Sequence, residues 1–300
     1  MLPQRMHRLL SSTLVIAGCA AACKRGSEDE AKRTQAWAAE VAQDKLGRVH
    51  LVTEGAAPRR VLAAPLAVGS TLVADVDVTS TTEIWRDGDA NKLTRNGNVH
   101  AQMELRMRAP HGDESPMELE LTKLTGDVKH LDLLPRVGLI DPGAYGEPWS
   151  FVMFYRDTDR RDDDANERLI WERDVAGWAR RILVALPLAP VGAGARWARS
   201  YTDYLGSEPI VEDHTYTLTS LDDRSARIAV AVRSSSSSSA GAGSSTGTGT
   251  FDIPVGARAV PTAEWTSRST ATVLDKGTQT HVQTTATVTI RPHVAAPIPG

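Results

Sequence analysis

The stretch "VHAQMELRMR" (Val99–Arg108) alternates strictly. Val99, Ala101, Met103, Leu105 and Met107 fall on one side, and His100, Gln102, Glu104, Arg106 and Arg108 on the other. A period of two is the mark of a strand with one face in a core and one face in water. The same pattern recurs outward from it. Leu72, Ala74, Val76 and Val78 alternate with Thr71, Val73, Asp75 and Asp77. Met117, Leu119 and Leu121 alternate with Glu118, Glu120 and Thr122. Near the C-terminus Val282, Thr284, Ala286, Val288 and Ile290 do the same. Further strands are expected around 197–204, 214–218, 227–233, 248–253 and 263–273. "RDGDANK" (Arg86–Lys92) and "RNGN" (Arg95–Asn98) carry turn chemistry.

Two segments have helical rather than strand periodicity. Ser27 and Glu30 form a capping box ahead of a predicted helix over Glu28–Leu46, with Trp37, Ala38, Val41 and Ala42 on one face. Trp171, Val175, Trp178 and Ile182 lie at helical spacing before Pro187. The order β-run, helix, β-run excludes a doubly wound α/β fold. The expected class is mainly β, with antiparallel curved sheets that allow two β-rich halves, an N-terminal helix and a central helix. "APLAVGSTL" and "LPLAPVGAGARW" each carry a Val-Gly pair (Val68-Gly69, Val191-Gly192) ahead of a strand, the one hint of an internal repeat.

The N-terminus is an address. Arg5, His7 and Arg8 precede the apolar run "LLSSTLVIAG", which is too short to span a membrane. Ile16-Ala17-Gly18-Cys19 resembles the lipobox of bacterial lipoproteins. The resemblance implies cleavage before Cys19 and diacylglyceryl on its thiol, with Cys23, after "AAAC", as the alternative. Several acyl chains anchor stably where one binds reversibly. In such lipoproteins Asp after the cysteine implies inner-membrane retention; here it is Ala20, which by resemblance implies the outer membrane. A redox pair would need C-x-x-C near a βαβ unit, and a zinc site a second ligand pair; neither exists.

The expected organisation is therefore a signal peptide (1–18), a lipidated tether (19–27), and a unit of N-terminal helix, β-rich half and central helix (28–185). A second β-rich half (186–292) with a Ser/Gly loop over 233–247 and an extended tail (293–300) complete it. "LPLAPVGAGARW", "TYTL" (Thr215–Leu218) and "GTGTFDIP" (Gly247–Pro254) are similar to an uncharacterised family of β-rich bacterial lipoproteins. That likeness implies location and fold class only.

Composition excludes some functions. The net charge of −3 becomes −3 − 2 = −5 once Arg5 and Arg8 leave with the signal, and no basic patch with interleaved aromatics points to nucleic acid. Gly243, Ser245 and Gly247 satisfy G-x-S-x-G, but no strand-to-helix turn surrounds them, and six serines (Ser234–Ser239) adjoin them. Asp87, Asp89 and Asn91, like Asp162, Asp164 and Asn166, begin a calcium loop without its Gly or its final Glu. His100, His214 and His281 fall on strands as polar-face or partly buried residues. Glu118 and Glu120 share a strand face, as a carboxylate pair or a solvated face would.

No cofactor or metal is expected. The leading reading is a lipid-anchored envelope protein with a non-catalytic binding or structural role. Its candidate surface is an apolar cleft under Trp171, Val175, Trp178 and Ile182, its partners the membrane and a hydrophobic ligand or envelope protein. The rival is an extracytoplasmic hydrolase whose residues meet only in three dimensions.

Overall fold

The computed structural model describes residues 49–62, 69–107, 117–127, 137–141, 150–154, 184–205, 208–238, 241–256, 259–275 and 278–293. They form one antiparallel sheet of 12 strands, in the order β1-β7-β8-β9-β10-β11-β12-β2-β3-β4-β5-β6. The strands are β1 (His50–Thr53), β2 (Thr71–Arg86), β3 (Leu93–Met107), β4 (Met117–Gly126), β5 (Val137–Asp141) and β6 (Ser150–Phe154). There follow β7 (Arg196–Leu205), β8 (Glu208–Leu221), β9 (Ser225–Ser238), β10 (Gly241–Pro254), β11 (Thr262–Asp275) and β12 (Thr278–Pro292).

The expected β class is observed, and strands of both sequence halves enter the same sheet. Two pairings join them: β12 lies against β2, and β1 against β7. Among the described residues there is no helix. Both predicted helices, Cys19, Cys23 and the stripe Trp171, Val175, Trp178, Ile182 lie outside the described residues, as do Asp162, Asp164 and Asn166.

Three local expectations need correction. The Ser/Gly stretch 233–247 is not a loop. It is paired strand, with Ser234 opposite Ser245 and Ser236 opposite Gly243, and only residues 239–240 separate β9 from β10. Serine and glycine are poor local strand formers, but the partner strands on either side supply the ladder, and sheet propensity yields to context. "RNGN" is likewise inside β3, opposite Thr79–Thr82, while the turn falls at 87–92. The tail expected from 293 is tied to the sheet at its first residue. Arg291 and Pro292 lie opposite Asp75 and Ala74, and the His293 N–H donates to the Val73 carbonyl at 2.9 Å.

Alternation sends apolar residues inward and polar residues outward. The inward face holds the main core, which includes Trp197, Tyr216, Leu218, Ile228, Phe251, Trp265, Val288, Val76 and Met103. Leu62, Val184, Leu186 and Val191 belong to the same core, so the segments before β2 and β7 pack on this end of the face. The Trp197 indole donates to the Ala185 carbonyl at 2.9 Å. Arg60 and Val191 exchange backbone hydrogen bonds of 2.9 and 2.8 Å. Gly192 lies so close to this crossing that a Cβ would fall 1.7 Å from the Ala56 oxygen. On β4 the extra residue Thr122 makes a bulge, and Leu121 and Leu124 therefore both face inward despite their odd spacing.

Outward, Thr248, Thr266, Thr287 and Thr79 stand side by side across β10, β11, β12 and β2. Asp75, Asp77, Glu104, Glu120, Arg106 and His100 share that face. Glu120 lies 3.6 Å from Arg106, which also holds Glu104 at 2.7 Å.

Candidate functional site

Register turns the inward face into rows of side chains. One row is apolar: Trp197, Tyr216, Val230, Gly249, Trp265, Val288, Val78 and Val99. Four residues along each strand, another row reads Glu212, Ser234, Ser245, Ser269, Thr284 and Thr82. It is a belt of hydroxyls, one from each of β9, β10, β11, β12 and β2. Ser245, Ser269 and Thr284 are buried, at 7%, 5% and 1% exposure. Beyond the belt the face becomes apolar again at Ala271, Val282 and Ile84, a second small cluster apart from the main core. Polar atoms buried between two apolar zones are costly unless they are paired. Thr82 and Thr284 solve this with a 3.0 Å hydroxyl contact. Ser245 Oγ and Thr280 Oγ1 have no hydrogen-bond partner.

At the β8 end of the belt sits a buried ionisable network. Glu212, His214 and Tyr216 alternate along one strand and face inward with Leu218. A Glu212 carboxylate oxygen meets His214 Nε2, and His214 Nδ1 lies 3.0 Å from the Tyr216 hydroxyl. Tyr216 stacks on Trp197 with ring centroids 5.6 Å apart. Arg199, opposite His214 on β7, is buried at 3%. On β9 the residues opposite Glu212 and His214 are Ser234 and Val232. A neutral imidazole that donates through Nε2 to the carboxylate and accepts the phenol proton at Nδ1 satisfies the series. Both ring nitrogens are then committed within the strand.

The three strand histidines His100, His214 and His281 are not brought together. His100 faces outward, 2.8 Å from Asp77. His281 faces outward at the other end of the sheet, stacked on Trp85 and 2.8 Å from Asp87. His214 alone of these three is inward. Its neighbours Glu212 and Tyr216 were readable in "EDHTYTL", because a strand parity anchored on Leu218 puts all three in the core.

The other sequence candidates resolve locally. Ser245 lies mid-strand between Ser234 and Ser269, without the strand-to-helix turn of a nucleophile elbow. Asp89 accepts from the Arg86 N–H at 3.0 Å and so caps the β2–β3 turn, while Asp87 meets His281 and ties that turn to β12. Glu118 and Glu120 lie opposite Arg106 and Glu104 on the outward face. Among the described residues no group of three or more His, Cys, Asp or Glu is placed to hold a metal ion.

No protein-family model matches the chain. No curated protein matches it. Among solved structures it is similar to an outer membrane channel from Pseudomonas putida F1, at 11% identity and a TM-score of 0.20, over 76% of this chain and 97% of that one.

Proposed function

We propose that the protein is a lipid-anchored component of the bacterial envelope with a non-catalytic binding role on the inward face of its sheet. The observation that carries this is the buried hydroxyl belt between two apolar zones, with the Ser245 hydroxyl unpartnered within it. A face that only filled a core would be apolar throughout. A face that carried out hydrolysis would set a nucleophile against a base, and Ser245 faces only serines on its neighbouring strands. The lipobox Ile16-Ala17-Gly18-Cys19 supports export and outer-membrane anchoring, with the polar outward face in the periplasm. An apolar cleft under Trp171, Val175, Trp178 and Ile182 belongs to the same proposal.

The test has two parts. The mature protein, extracted from membranes in detergent, should have an N-terminal peptide that begins at Cys19 and carries the mass of diacylglyceryl and an acyl chain. Cys19→Ser should abolish that mass; loss with Cys23→Ser instead would move the anchor to the alternative cysteine. An intact Met1 in the soluble fraction would overturn the anchor. Organic extraction of the purified protein should release a bound amphiphile in near-stoichiometric amount.

A hydrolase remains the second reading because of one observation, the Glu212–His214–Tyr216 series. Ester turnover that vanishes in His214→Asn while the fold persists would favour it over pure binding.

A further inference from the structure

We propose that Thr272, His281 and Asp87, on the outward face, form an acyl-transfer site in which the Thr272 hydroxyl is the nucleophile toward acyl esters. The site is separate from the inward face and goes beyond the binding role proposed above.

Sheet register brings the three together from distant parts of the chain. Thr272 on β11 lies opposite His281 on β12, and His281 lies opposite Trp85 on β2. Asp87 opens the turn that follows β2. Thr272 Oγ1 is 3.2 Å from His281 Nδ1, and His281 Nε2 is 2.8 Å from Asp87 Oδ1. A hydroxyl, a base in contact with it and a carboxylate that orients the base are the parts that activation of a hydroxyl requires. A carboxylate only accepts, so the neutral imidazole carries its proton on Nε2. Nδ1 is then the acceptor, and the Thr272 hydroxyl donates to it. The two ring nitrogens are exchanged relative to the serine triad, but each partner has the same role.

The imidazole is held in place and the site is open. Trp85 stacks on His281 with ring centroids 5.4 Å apart. The Asp87 N–H donates to the Gln279 carbonyl at 3.1 Å, which fixes the backbone of the carboxylate to β12. The His281 side chain is 25% exposed and that of Asp87 63%, whereas the Glu212–His214 pair is buried. On β10 the residue opposite Thr272 is Ala242, exposed and with only a methyl group beside the hydroxyl. Leu274, two residues along the same face of β11, is 55% exposed. An apolar side chain next to the nucleophile suits the hydrocarbon part of an acyl ester.

In the reaction Thr272 Oγ1 bonds to the ester carbonyl carbon while its proton passes to His281 Nδ1. The bond from that carbon to the alcohol oxygen breaks, and the departing oxygen takes the proton from Nδ1 or leaves as a stable anion. Water, deprotonated in turn at Nδ1, then cleaves the acyl-threonine, releases the acid and restores the hydroxyl. Asp87 is a positioning residue, which holds the ring and its tautomer throughout.

The experiment incubates the full purified chain with p-nitrophenyl hexanoate, an activated ester, and locates the hexanoyl group by peptide mass. A burst of about one equivalent of p-nitrophenolate should precede slower turnover, with the group on Thr272. Thr272→Val should remove both the burst and the label, and Thr272→Ser should keep both. His281→Asn should slow acylation at least about 100-fold. Asp87→Ala should slow it at least about tenfold, and Asp87→Glu should recover part of the loss, which a mere tie between turn and strand would not do. Leu274→Ser should slow the hexanoate ester more than the acetate ester. Where Thr272→Val does not fold, Thr272→Ser decides, because the ester must then sit on serine. A folded parent protein that carries hexanoyl on lysines alone would overturn the proposal. So would Thr272 acylated at the parent rate in His281→Asn, since the hydroxyl would then need no base.

Discussion

Gly249 lies directly opposite Trp265 across β10 and β11, and the indole fills the space a side chain at 249 would occupy. A Cβ there would fall 2.7 Å from Trp265 Cε3 and 2.6 Å from the Glu264 carbonyl oxygen. The glycine is what allows a tryptophan at 4% exposure to stand between Val230 and Val288 in the apolar row. Gly249→Ala should therefore push the indole or shift the backbone, and overpacking of this kind costs about 1–3 kcal/mol. Urea unfolding followed by tryptophan emission should show a lower midpoint at unchanged slope. A variant as stable as the parent would mean that the two strands can separate at no cost.

The buried series on β8 should behave as a unit. Tyr216→Phe removes one hydroxyl from His214 and should cost about 1 kcal/mol. Glu212→Ala leaves the buried His214 without its carboxylate partner, and about 1–3 kcal/mol is expected. In a double-mutant cycle, Glu212→Gln and His214→Asn should show a coupling of at least about 1 kcal/mol. Additive effects would refute a direct link between the two.

The hydroxyl pair Thr82–Thr284 offers a sharper contrast. Thr82→Val or Thr284→Val alone orphans the other hydroxyl and should cost about 1–3 kcal/mol. The double valine variant leaves nothing unpaired, and most of that loss should be regained. Denaturant curves for the single variants and the pair decide it; a double variant worse than either single would show that the belt needs its hydroxyls for folding.

Acid stability should depend on Asp75. Burial pushes its carboxyl up, but His293 Nδ1 at 2.8 Å and the Gln102 amide at 3.2 Å outweigh that and hold it below the usual value. A carboxyl lower in the folded than in the unfolded state favours folding fully above its unfolded value, about 4. That contribution disappears as pH falls through the folded value. Asp222, held low by the N–H groups of Arg224 and Ser225, acts in the same direction. Stability measured from pH 7 to pH 2 should fall less steeply below pH 4 in Asp75→Asn than in the parent. Identical slopes would rule out the contribution.

Much of this architecture was legible because alternation is a local signal. β12, the Thr71–Val78 part of β2 and the Val99–Met107 part of β3 could be read residue by residue, and so could the inward set Val76, Met103 and Val288. The Ser/Gly hairpin was not legible, because nothing in "RSSSSSSAGAGSSTGTGT" favours a strand by itself. Its ladder comes from β8 and β11, strands whose adjacency is a property of the whole sheet. The site suffered from the same blindness. Ser245 looked like one serine among many until its register set it in a row with Ser269 and Thr284. His214 was hidden for the opposite reason, since a lone histidine on a strand says nothing until the parity of Leu218 is extended back through Tyr216.

The pairing of β12 with β2 has a consequence for synthesis. β2 finds β3 at once, but its other flank waits for the last strand of the described chain, nearly two hundred residues later in translation. Until then the first hairpins carry a long edge of open backbone groups, an invitation to pair with another chain. A chain cut short before Thr278 would keep two such edges, β2 and β11, permanently open. The strand Thr278–Pro292 is thus the stitch that joins β11 to β2, and a truncation just before it should be as damaging as one in the middle of the sheet.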